Sequence, residues 1–221
     1  MASTWILTLA ALAVVSALLV RQRFRRKQLQ HRLAFIDRFR YPPRLAREAQ
    51  QRYPHLKAAD LARVEQGLKQ FFRLCARANG EMVSMPSQAV DAMWHAWIVD
   101  TRGYQHFCRL AFGRFLHHTP AEAMRTPTLA TRGIQRAWGL ACADEGVSPR
   151  RPERLPLLFA LDRELAIPGG FYYVADCRRD GAPGQYCGSD IGCGGGSGSA
   201  DGSGSDGDGG GDGGGCGGGG D

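Results

Sequence analysis

No charged side chain occurs among residues 1–20, and the stretch from Trp5 onward reads WILTLAALAVVSALLV. A run of this kind has to be covered by lipid or by other apolar surface, so it constrains the fold before anything else does. Twenty helical residues at about 1.5 Å each span about 30 Å, the thickness of a hydrocarbon core. Directly after it come Arg21, Arg23, Arg25, Arg26 and Lys27. A cleaved signal peptide carries its basic residues before the apolar run and a small-x-small site after it. Here that order is reversed, and Leu18, Leu19 and Val20 lead straight into arginine. The charge asymmetry predicts a single-pass transmembrane helix over residues 1–20 in the plasma (inner) membrane, with the N-terminus outside and the body cytoplasmic. Residues 21–43 then form a basic juxtamembrane segment, its five charges set against anionic lipid headgroups. Cytoplasmic placement keeps thiols reduced. Cys75, Cys108 and Cys142, widely spaced on predicted helices, read as small core residues.

The other end is as one-sided. Of the 30 glycines, 21 lie between Gly181 and Gly220. Ordering such a segment costs about 1–2 kcal/mol of backbone entropy per residue with little to bury in return. Residues 180–221 therefore read as a disordered Gly/Ser/Asp/Cys tail, and residues 44–179 as one compact domain. That length excludes a multidomain machine, and the glycines lack the strict period of a collagen. The spacing of Asp206, Asp208 and Asp212 faintly resembles calcium-binding repeats but lacks their hydrophobic positions. Cys177, Cys187, Cys193 and Cys216 contain no CxxC and so no preformed soft-metal site. From Asp180 on there are seven Asp and no Lys or Arg, against a net charge of +7 for the whole chain. The basic body is thus drawn to an anionic leaflet or to its own tail. No zinc-finger spacing, basic zipper or RNA-binding aromatic stretch supports nucleic acid as a partner.

Between these ends the pattern is helical. Leu61, Val64, Leu68, Phe71, Phe72 and Cys75 recur at threes and fours, and Asn79-Gly80 is a C-cap that tolerates the left-handed conformation. Shorter helices are predicted near residues 44–52, 87–99, 104–115, 128–143 and 157–165, with Ser84 or Ser87 capping the second of these. Phe171 to Val174 suits a strand, but one short strand makes no sheet. The fold class is mostly α, with about five or six helices around an aromatic-rich core.

The densest chemistry is DAMWHAWI followed by YQHFC. On a helix Asp91 lies one turn before His95 and can fix its imidazole. If the following helix folds back, Asp91, His95, Cys108 and a later histidine meet. That set could ligate zinc or act as a base beside a thiol. The candidate metal ligands are His95, His106, Cys108 and His117, and the candidate catalytic residues His95, Asp91 and Cys108. The ordinary alternative is a structural histidine tied to Asp91. There is no HExxH or paired CxxC to decide between them.

The stretch MPSQAVDAMWHAWIVDTRGYQHFC resembles the Trp-His region of the glycine-rich domain-containing family. The shared residues are Asp91, Trp94, His95, Tyr104 and Cys108, and such proteins also carry a glycine-rich region further along. The resemblance implies a second histidine two residues after the first, where this chain has Trp97, so a metal site built on that histidine would be assembled differently here. It supplies no defined reaction. The sequence thus predicts a membrane-anchored cytoplasmic interaction or scaffold domain with a protein partner. The alternative is a metal-assisted hydrolase or thiol-dependent enzyme using the Trp-His segment.

Overall fold

The computed structural model describes residues 2–119, 127–177 and 186–193, with side chains over 12–119, 131–177 and 186–192. Helix α1 (Ala2–Arg38) is followed by α2 (Pro43–Arg52), α3 (Ala58–Arg77), α4 (Gln88–Ile98) and α5 (Thr101–Phe112). Then come α6 (Pro127–Glu145), α7 (Leu157–Glu164), β1 (Tyr173–Val174), β2 (Tyr186–Cys187) and α8 (Gly188–Cys193). The mostly helical architecture is the one the apolar periodicity predicts.

Helix α1 is unbroken for 37 residues. Its inner half enters the core: Ile36 is fully buried, and Leu29, Leu33 and Phe35 pack beside it. Ahead of it, among the described side chains, Leu12, Val14, Val15, Leu18, Leu19 and Val20 are exposed. Among the described residues no helix is long and apolar enough to cross a membrane. The predicted transmembrane span is therefore not supported as a finding. More than half of it, residues 1–11, lies outside the described side chains.

Helix α3 is the hub, with α1, α2, α4, α5, α6 and α7 all packed on it. Its glycine allows the closest approach: a Cβ at Gly67 would lie 2.5 Å from Leu161 Cδ1 and 2.8 Å from Val90 Cγ2. Buried Gln70 ties three helices together, donating to Glu145 Oε1 at 2.8 Å and accepting from the Leu158 N–H at 2.9 Å. Beside it Asp144 receives the Arg73 guanidinium at 2.6 Å and also pairs with Arg77.

Burial by itself raises the Asp144 carboxyl, but bonds from Arg73 and Arg77 outweigh it and hold the group below its ordinary range. Glu145 is held low in the same way, burial being outweighed by Arg154, Gln70 and the Leu157 N–H. A carboxyl lowered in the folded state stabilises the fold above its unfolded pKa, about 4, and loses that contribution as pH falls toward the folded value. We expect denaturant stability to drop steadily below about pH 5. Asp144→Asn should flatten that drop and cost about 1–3 kcal/mol at neutral pH, since the two arginines left behind are partly solvated.

The C-terminal part of the body departs from expectation. The glycine content places the end of the fold near Arg179, yet the chain pairs again in β2. This strand runs parallel to β1, with Tyr173 opposite Tyr186 and Val174 opposite Cys187. Gly188 lies against the Trp138 ring with no room for a Cβ, so α8 docks only because that residue is glycine. Cys177 and Cys187 form a disulfide, with Cα atoms 5.6 Å apart, which corrects the expectation of reduced thiols throughout and removes both from any soft-metal set. The predicted disorder of residues 194–221, Cys216 included, lies outside the described residues.

Candidate metal centre

The site begins with the start of α4. Ser87 caps it, accepting from the Val90 N–H at 3.2 Å and donating to Asp162 Oδ1 at 2.6 Å. Asp162, buried to 1 % exposure, also accepts from the backbone N–H groups of Gln88 at 2.7 Å, Ala89 at 3.2 Å and Phe171 at 2.9 Å. A carboxylate at a helix N-terminus meets both orphan donors and the positive end of the dipole. This cap fixes the rotation of α4, which sends Val90, Met93, Trp94 and Trp97 into the core and leaves Asp91 and His95 on the outer edge.

The return segment is set by α5. Asp100 caps the helix through the Gly103 N–H at 3.1 Å, and Gly113 ends it in the left-handed region at φ 72°. The chain then runs without regular secondary structure from Phe115 to Thr119. Trp94 Nε1–H donates to the Tyr104 hydroxyl at 3.0 Å, and that hydroxyl donates to the Leu116 carbonyl at 2.7 Å. Burial raises the Tyr104 phenol far above its ordinary range, so it stays a neutral donor. Along it Leu116 and His118 are half-buried, whereas Phe115 and His117 are exposed.

His118 reaches Asp91 and His95. Its Nε2 lies 3.0 Å from Asp91 Oδ1 and 3.0 Å from His95 Nε2, and His95 Nε2 is 3.6 Å from Asp91 Oδ2. Among the described residues these form one group of ligand atoms all within 4.8 Å of one another. The His118 ring stands edge-on to Trp94 with centroids 4.6 Å apart, which holds it in place.

The other candidates lie elsewhere. His106 is on the outer face of α5, where its Nδ1 meets Arg109 at 3.0 Å. There it lines a cavity of about 430 Å³ with Arg102, Arg109 and Arg114. His117 is exposed and packs on Phe115 with ring centroids 4.8 Å apart. Cys108 is fully buried, and burial pushes its thiol up despite opposing bonds from Leu116 and Tyr104. A thiol held neutral and out of contact with solvent is neither a nucleophile nor an open ligand. The sequence names His117 among the candidate ligands, and the structure brings its neighbour His118 to the cluster.

The family model described as UCP032817-like matches residues 31–191. The chain belongs to the UCP032817-like family. No curated protein and no solved structure matches it. The assignment overturns the resemblance to the glycine-rich domain-containing family. The UCP032817-like match runs from the inner half of α1 into α8, and most of the glycine-rich tail lies beyond it. Trp97, which stands where the resemblance implied a histidine, is a core residue at 1 % exposure.

Proposed function

We propose that this UCP032817-like protein is a membrane-anchored helical domain that serves as an interaction or scaffold module. It is held at the inner membrane by residues 1–20, with the body on the cytoplasmic side. The observation that supports this reading is the continuity of α1. One helix carries exposed Leu12, Val14, Val15, Leu18, Leu19 and Val20 at one end and core residue Ile36 at the other. Apolar surface left in water costs roughly 25 cal/mol per Å². An apolar rod fixed rigidly to a folded body is relieved of that cost by lipid. The basic run from Arg21 to Lys27 sits at the boundary, where each charge near an anionic leaflet adds about 1 kcal/mol.

Fractionation tests the anchor. The full chain should stay with membranes through alkaline carbonate extraction, and a variant lacking residues 2–20 should appear in the supernatant with the thermal midpoint of its body unchanged. Release of the full chain by carbonate would contradict the reading. A second reading puts the body on the outer side. Disulfides persist in oxidising compartments, and the Cys177–Cys187 bond favours that side. Protease added to intact cells separates the two, since a cytoplasmic body should be protected and an outer one cleaved.

Of the enzyme alternative, the thiol-dependent arm loses its support with the burial of Cys108. The metal-assisted arm depends on whether the Asp91–His95–His118 cluster takes a metal.

A further inference from the structure

Three side chains that can each give a lone pair converge, through the two Nε2 atoms and the two carboxylate oxygens. The separations are 3.0 Å from His118 Nε2 to Asp91 Oδ1, 3.0 Å between the two Nε2 atoms and 3.6 Å from His95 Nε2 to Asp91 Oδ2. Around a zinc ion with bonds of about 2.0–2.2 Å, tetrahedral ligand atoms lie about 3.3–3.6 Å apart. The separations of 3.0–3.6 Å, taken over both carboxylate oxygens, span that value. Hydrogen bonding satisfies the cluster poorly. A ring nitrogen offers one proton or one lone pair, yet His118 Nε2 faces both the Asp91 Oδ1 acceptor and the His95 Nε2, each at 3.0 Å. A single cation at the centre takes a lone pair from all three.

We propose that Asp91, His95 and His118 form a binding site for a divalent zinc-class cation with an open coordination position. Two imidazoles and one carboxylate suit zinc or a neighbouring first-row ion rather than calcium or magnesium, which prefer all-oxygen sets. Structural zinc sites are closed by four protein ligands, and three ligands with a free position mark a site that accepts water or a small ligand. The exposures set the open side. The His118 side chain is 14 % exposed and Asp91 26 %, whereas His95 is 52 % exposed. Access is therefore from the His95 side, with His118 as the rigid wall. The Trp94–Tyr104–Leu116 chain positions that wall, which gives the Trp-His pair its meaning: the tryptophan places the partner of the histidine that follows it.

Titration of the full-length protein in detergent with Co²⁺ alone tests the site, followed by its displacement with Zn²⁺. The wild type should bind one equivalent with the intense visible absorption of four- or five-coordinate cobalt. His95→Ala and His118→Ala should each weaken this binding by at least about 100-fold. His106→Ala and His117→Ala should change it by less than about twofold, since neither side chain reaches the cluster. His95 is exposed, so His95→Ala should keep wild-type circular dichroism and thermal midpoint, which separates ligand loss from unfolding. Unchanged affinity in folded His95→Ala, binding lost only when cysteines are alkylated, or no saturable cobalt absorption in the wild type would each overturn the proposal.

Discussion

Replacing Asp162 by alanine should lower the unfolding free energy by about 3–5 kcal/mol, enough to unfold much of a domain of ordinary stability. The carboxylate is 1 % exposed and serves four donors: the Ser87 hydroxyl and the N–H groups of Gln88, Ala89 and Phe171. Removing it orphans all four in a place water does not reach, at about 1–3 kcal/mol each before relaxation. It also detaches the start of α4 from α7 and from the segment leading into β1. Asp162→Asn keeps one acceptor oxygen and should lose less. Urea denaturation read by circular dichroism checks this, with the midpoint moving and the slope unchanged. A loss below about 1 kcal/mol in Asp162→Ala would show that the cap does not hold α4.

Trp97→Ala should cost about 3–5 kcal/mol, the range for emptying a large aromatic from a packed core. The indole stacks on Phe39 at 5.2 Å and meets Tyr41 at 4.8 Å and Phe107 at 4.4 Å between centroids. These rings join the chain at the end of α1 to α4 and α5, so the loss should also loosen the body from its anchor helix. Trp97→His should cost nearly as much and supply no metal ligand. Two residues along a helix turn about 200°, so position 97 faces away from His95. Cobalt affinity in that variant, measured where it remains folded, should match the wild type. A tighter site in Trp97→His would mean that position 97 faces the cluster after all.

What could be read in advance follows the range of the interactions. The stripe from Leu61 to Cys75 foretells α3, and Asn79 and Gly80 do take positive φ just beyond its end. Ser87 foretells the start of α4, because capping is local chemistry, whereas α5 begins at Thr101 on its Asp100 cap, three residues before the expected start at 104. Long-range partners left no such trace. Nothing near Ser87 announces that Asp162, 75 residues on, completes its cap. Glycine-rich composition hid β2 and α8, whose order comes from pairing with β1 and docking on Trp138 rather than from propensity. Asp91 and His95 were legible as one face of a helix. The choice of His118 over its neighbour was not, since it depends on the Tyr104–Leu116 bond that phases the return segment.

The most direct measurement is anomalous diffraction at the zinc edge from crystals of the protein grown with zinc. One peak should lie about 2.0–2.2 Å from Nε2 of His95, Nε2 of His118 and a carboxylate oxygen of Asp91, with no side chain filling the solvent side. A cluster free of anomalous density at saturating zinc, or a peak held by His106, His117 or the cysteines instead, would contradict the account.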